Sequence, residues 1–268
     1  VEPVRSTVNA NMGLEQRPTR VGRGKRGFTL VDVLVSLAVI SVLIGLLLPS
    51  FSLVRESARR VKCASNLRQI GLGLHMYGQS SGEYLPPSVF LPASAYSRSA
   101  MVGSPELMDT LRTEEGAFPA RDWGQWDGIG LLYAEGYLSA PGVFYCPSHT
   151  GNHPFDRYED VWSAEQGEIV SNYQYRGLGP RGERRLFMIE GDAALVTDML
   201  RSFEDLNHEG GLNLLKAGLA VNWFQDAGDQ IAGLMSRSSG GTASQAVSDA
   251  WSRLDGGPSG DDSNDPQD

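Results

Sequence analysis

The sequence predicts an α+β protein in which a long N-terminal helix, half of it membrane-spanning and half amphipathic, packs on an antiparallel β-sheet head. Three observations carry this reading. Residues 28–48 form an apolar run of 21 residues whose single charge is Asp32. From Phe51 to Tyr77, apolar residues then recur at steps of three or four. Beyond Gly82, short β-branched and aromatic runs alternate with Gly, Pro and Ser.

The first 27 residues are a basic leader. Arg5, Arg17, Arg20, Arg23, Lys25 and Arg26 stand against Glu2 and Glu15, a net +4. The whole chain has 23 basic and 32 acidic residues, which leaves the remainder at 17 and 30, a net −13. So acidic a body repels phosphate backbones, and nucleic acid is not an expected partner. The basic tip instead reads as a topology signal. Met12 offers an internal start that would shorten the leader to residues 12–27.

Residues 28–48 would make about 30 Å of helix, close to the thickness of a bilayer's hydrocarbon layer. A secretory signal peptide has a shorter apolar core and a small-residue cleavage site. The expected partner is therefore the lipid bilayer, crossed once, with the N-terminus cytoplasmic and the head outside. A carboxylate inside such a segment calls for a partner. Cleavage after Gly27 would supply one, the new amine of Phe28 on the same or a neighbouring copy.

The stretch "RGFTLVDVLVSLAVI" resembles the class III signal of type IV prepilins and type II secretion pseudopilins, in which Gly is followed by Phe-Thr-Leu-hydrophobic-Glu. The resemblance implies a pilin-like fold and cleavage after Gly27. It also implies N-methylation at Phe28, both steps carried out by a prepilin peptidase. Pro49 matches the helix-kinking proline of many pilins. The expected partners are that peptidase and other pilin-like subunits, packed through their N-terminal helices into a type IV pilus or type II secretion pseudopilus. Asp32 stands where the family has Glu, one methylene longer, a departure that bears on amine pairing rather than on cleavage. The competing reading is a membrane-anchored extracytoplasmic binding module that does not polymerise.

Residues 49–78 are expected to continue the helix outside the lipid. Phe51, Val54, Ala58, Val61, Ala64, Leu67, Ile70, Leu74 and Tyr77 would form its buried stripe, with Arg55, Glu56, Arg59, Arg60 and Lys62 on the wet face. "CASNLRQIGLGLHMYG" resembles a family of prepilin-like proteins of unknown function that carries Cys-x-x-NLKQIGLALHNY and a C-terminal H-x9-DG motif. Asn66 and His75 match the first motif. His208, Gly210, Gly211 and Asn213 match the second region, and Asp198 matches a further acid of the family. The Asp-Gly pair itself is replaced by Gly218-Leu219. A packing or hydrogen-bonding role is expected for His75, and a tight turn before a strand for Gly210-Gly211.

Residues 79–224 read as the head. Its strands are expected at 171–177, 186–190 and 194–199, with a hairpin at 212–224 turning near 216–218. Cys63 and Cys146 are the only cysteines. Outside the cytoplasm they favour a disulfide over free thiols, and stapling the head to the helix would stabilise by roughly 4 kcal/mol. A metal held by Cys146, His149 and His153 is the weakest of the three readings, and none is expected.

Residues 225–268 carry eight Asp and two Arg, a net −6. They read as an acidic, partly disordered tail with one short helix, rather than as calcium loops. No cofactor or catalysis is expected. "GRGKRG" lacks phosphate-loop spacing, no G-x-S-x-G or H-E-x-x-H occurs, and no acid, base and nucleophile assemble.

Overall fold

The computed structural model of the chain describes residue 27 and residues 29–91, 104–118, 124–198, 200–237 and 243–256, the side chains of 48–53 excepted. The leader before Gly27, Phe28, the side chain of Pro49 and the tail from 257 therefore lie outside the described residues. The chain divides into two compact units, Val1–Ser50 and Phe51–Asp268, and helix α1 (Leu30–Ser80) contributes to both.

In the first unit α1 starts from a reciprocal cap. The Thr29 N–H donates to Asp32 Oδ2 at 3.0 Å, and the Asp32 N–H donates to Thr29 Oγ1 at 3.2 Å. This is a capping box with Asp in the usual Glu position, and it satisfies two of the donors left free at a helix start. Leu30–Leu47 follows, 18 residues long enough and apolar enough to cross a membrane, with none of it buried. Its hydroxyls are satisfied within the helix: Ser36 donates to the Val33 carbonyl and Ser41 to the Leu37 carbonyl.

In the second unit the later part of α1 lies on a four-stranded antiparallel sheet of order β3-β4-β5-β6: β3 (Tyr173–Tyr175), β4 (Ala194–Asp198), β5 (Gly211–Lys216) and β6 (Val221–Gln225). A two-stranded antiparallel sheet, β1 (Thr110–Arg112) and β2 (Ile169–Val170), stands beside it. Cys63, Leu67, Ile70, Leu74 and Tyr77 are buried at helical spacing and share a core with Tyr173, Tyr175, Val196 and Leu215. Gly71 and Gly73 let this packing close. A Cβ at 71 would meet Leu215 Cδ1 at 2.8 Å, and one at 73 would meet Leu132 Cδ1 at 3.2 Å. The buried stripe thus begins at Cys63. Val54, Ala58 and Val61, expected in it, are exposed, since 61 lies about 200° around the helix from 63.

Short helices α2 (Leu131–Ala134) and α3 (Glu159–Ser163) belong to the loops that complete this core, with Leu131, Leu132 and Trp162 buried in it. Arg112 fixes the second of these loops, donating to the carbonyls of Val161, Ala164, Gln166 and Gly167 at 2.8–2.9 Å. Residues 186–190 do not form the expected strand. Leu186–Met188 is a 3-10 turn, and only Arg185 makes a single bridge, to Tyr84. The Met188 and Ile189 N–H groups are taken by local bonds to Arg185 and Leu186, which leaves no ladder to extend.

The sheet's other face is covered by residues expected in the tail. Helices α4 (Ala232–Arg237) and α5 (Ala243–Leu254) enclose a second core of Ala194, Leu212, Leu214, Ile231, Met235, Val247, Ala250, Trp251 and Leu254. Two of the tail's acids hold it in place. Asp226 accepts from the N–H groups of Ile231 and Ala232 at the start of α4. Asp255 pairs with Arg176 at 2.5 Å and accepts from the Ala194 N–H at 3.0 Å. The expected boundary at 225 therefore falls inside the folded unit.

Because Leu67 is fully buried between α1 and the sheet, Leu67→Ala is expected to cost about 2–5 kcal/mol, measured by denaturant unfolding of the detergent-solubilised chain.

Candidate functional site

The side chains singled out in distant parts of the sequence meet where α1 crosses the ends of β4 and β5. Period-2 alternation directs Val196 and Asp198 of β4, and Asn213 and Leu215 of β5, toward the helix. Cys63 of α1 forms a disulfide with Cys146, their Cα atoms 5.0 Å apart and 83 positions apart in sequence. Asn66, one turn beyond Cys63, donates from Nδ2 to the Tyr145 carbonyl at 2.9 Å, and the Cys146 N–H donates to Asn172 Oδ1 at 2.5 Å. The Cys146 loop is thereby tied to the helix through Asn66 and to the start of β3 through Asn172.

Asp198 is fully buried beside the disulfide, its Oδ1 3.3 Å from Cys63 Sγ. It accepts from the Asn213 N–H at 2.6 Å and from Asn207 Nδ2 at 3.1 Å. Burial pushes its carboxyl above the ordinary range, opposed by His208 and by these hydrogen bonds. His208 Nε2 lies 3.4 Å from Cys146 Sγ and 3.9 Å from Asp198 Oδ2, and Asn213 Nδ2 approaches it at 3.2 Å. On its other edge, His208 Nδ1 donates to Glu56 Oε1 at 2.6 Å, and Ser148 Oγ donates to both oxygens of Glu56. The phenol of Tyr173 sits 3.1 Å from Cys63 Sγ. Donor atoms of Cys63, Cys146, Asp198 and His208 all lie within 4.8 Å of one another.

A cavity of about 860 Å³ opens beside this cluster, with Glu56, Ser148 and His208 in its wall and Arg55, Arg59 and Glu204 around it. Arg60 stacks over the Trp223 ring at 3.3 Å, and Trp223 meets the His208 ring edge-on. The cluster itself is sealed: neither cysteine lines the cavity.

The expected residues thus divide. Cys63, Asn66, Cys146, Asp198, His208 and Asn213 converge on one site. Gly210 makes the turn into it at φ +73°, and Gly211 opens β5, where a Cβ would strike the Phe224 carbonyl oxygen. His75 stands apart, its Nε2 bonded to the Ala217 carbonyl at 3.0 Å. His149 and His153 do not join Cys146. His149 donates to Asn207 Oδ1 at 2.8 Å, while His153 lies between Tyr158 and Arg201. Glu56 was assigned to the wet face, although it lies seven residues from Cys63 and so shares its side of the helix. Asn207 had no signal beyond its place next to His208.

Comparison with known families accounts for both parts of the chain. The prokaryotic N-terminal methylation motif matches residues 22–48. A family described as protein of unknown function, DUF1559, matches residues 53–186, half of the chain. The chain belongs to this family. No curated protein and no solved structure matched it. The two matches together make this DUF1559 protein prepilin-like. The apolar helix and the signal fit a single-pass membrane anchor. Asp198 and His208 lie beyond the matched part of this DUF1559 protein, and the fold returns them to Cys63 within it.

Two outcomes are expected. Replacing Cys63 and Cys146 together by Ser should lower stability by roughly 4 kcal/mol, read as a shift in denaturant midpoint against the oxidised chain. His153 should impose a pH dependence. Burial, with the Arg201 charge, pushes its pKa down to about 4. The unfolded chain therefore binds the proton first, and this contribution is present above about pH 6.5 and lost as pH falls toward 4. The stability difference between the wild-type chain and His153→Gln should shrink across that window, and an unchanged difference would exclude the buried neutral imidazole.

Proposed function

We propose that the chain is a membrane-anchored structural subunit, cleaved after Gly27 and N-methylated at Phe28 by a prepilin peptidase. Its N-terminus is cytoplasmic, its head lies outside, and it works in a type IV pilus or a type II secretion pseudopilus. The observation that carries this reading is the methylation motif running directly into an 18-residue apolar helix that the chain itself leaves wholly uncovered. Gly27 is exposed, and nothing described crowds it. The work is mechanical: copies associate through their N-terminal helices in the bilayer, and the head sets what surface the assembly presents.

A second reading, an anchored binding module that does not polymerise, is favoured by one specific feature. The Asp32 carboxylate is already engaged by the N–H of its own Thr29. It is thus less free to meet the amine of a neighbouring copy than a longer Glu would be.

Asp32→Lys separates the two. Under the structural reading the variant is still cleaved after Gly27 but no longer recovered in the sheared-filament fraction, while Asp32→Glu is recovered at least as well as the wild-type chain. If wild type and both variants stay entirely in the membrane fraction, the non-polymerising module stands.

A further inference from the structure

We propose that the dithiol form of this chain holds one thiophilic divalent cation of the zinc class, bound by Cys63, Cys146, Asp198 and His208. Metal and disulfide are then alternative closures of the same site.

The four residues supply two sulfurs, one imidazole nitrogen and one carboxylate oxygen, a set suited to four-coordinate zinc. Zinc–ligand bonds of about 2.0–2.3 Å place tetrahedral ligand atoms about 3.3–3.8 Å apart. The contacts present are 3.3 Å from Cys63 Sγ to Asp198 Oδ1, 3.4 Å from Cys146 Sγ to His208 Nε2, and 3.9 Å from that nitrogen to Asp198 Oδ2. The remaining donor pairs lie within 4.8 Å of one another, and the two sulfurs part once the bond between them is absent.

The surroundings are those of a ligand set held in place from behind. His208 Nδ1 donates to Glu56, so Nε2 is the nitrogen turned into the cluster, where Asn213 Nδ2 donates to it and a bound cation would take that donor's place. A carboxylate behind a histidine in this way fixes the tautomer that ligates metal. Asp198 is oriented by the Asn213 N–H and Asn207 Nδ2, and Tyr173 lies against Cys63 Sγ. All four ligand residues are buried, as in structural metal sites. Among the described residues, the only basic group within 4.0 Å of Asp198 is His208, so a cation at the centre would compensate a buried carboxylate. The cavity reaches Glu56 and His208 at the edge of the sealed cluster.

Every chain passes through the dithiol form, because cysteines are incorporated as thiols. Binding a divalent cation there releases the two thiol protons and changes no oxidation state. A later thiol oxidant that removes two electrons joins the sulfurs and frees the ion. Both closures tie α1 to the Cys146 loop, so the head keeps its attachment to the helix in either state.

The full chain, in detergent and fully reduced with a water-soluble phosphine (which becomes phosphine oxide as the disulfide becomes two thiols), is titrated with cobalt(II) and then zinc(II). One equivalent of cobalt is expected, with thiolate-to-metal charge-transfer absorption and ligand-field bands of tetrahedral intensity, displaced by one equivalent of zinc. The oxidised chain should show neither. His208→Gln and Asp198→Asn should weaken binding at least 10-fold, and Glu56→Gln, half-exposed on α1 and therefore tolerable to the fold, about 10–100-fold. Absence of the charge-transfer band in the reduced wild-type chain overturns the proposal. So does an affinity unchanged in both His208→Gln and Glu56→Gln, which would assign the band to the thiols alone.

Discussion

One helix must satisfy two different surroundings, and the rest of the molecule follows from that constraint. Up to Leu47, α1 offers an apolar surface that the chain does not cover. From Cys63 onward the same helix buries Leu67, Ile70 and Leu74 almost completely in the head. At about 25 cal/mol per Å² of apolar surface, neither half is stable if left to water, so lipid or neighbouring helices must cover the first as the sheet covers the second. The capping box at Thr29 and Asp32 starts the helix without the head's help. Gly71 and Gly73 let the head approach closely where it does pack.

Where helix and sheet meet, the chemistry becomes dense. A disulfide, a buried carboxylate and a histidine backed by Glu56 occupy one small volume. Asp198 and His208 have hydrogen-bond partners aimed at them, which makes their burial tolerable, while Asn66 Oδ1 and Asn172 Nδ2 at the edge of the cluster are buried without one among the described residues. The sheet supplies Asp198 and Asn213 from adjacent strands, the helix supplies Cys63 and Glu56, and two loops supply Cys146 and His208. Through these contacts the attachment of α1 is written into side chains from well-separated parts of the chain, and not only into apolar packing.

Much of this was legible in the sequence, for local reasons. An uninterrupted apolar run, a glycine-ended basic leader and a stripe at helical spacing are short-range patterns, and they gave α1 to within three residues at its C-terminal end. The β-branched content of 194–199 and the turn after Lys216 likewise placed β4 and the β5–β6 hairpin. Residues 186–190 misled because composition does not reveal whether a partner strand is available. The acidic 225–256 segment misled because net charge hid the amphipathic spacing of Val247, Ala250, Trp251 and Leu254 on α5. Within the site, Cys63, Cys146, Asp198 and His208 each carried a signal. Their convergence did not, because it depends on β4–β5 register and on a loop fold that no local pattern encodes.

Cleavage after Gly27 is the step that would place the first half of α1 at a mature N-terminus in the membrane. The measurement that tests this most directly is the N-terminus of the chain purified from membranes, read by intact mass and terminal peptide sequencing. A chain that begins at N-methylated Phe28 is the predicted result. A chain that retains its basic leader through Gly27 would contradict it.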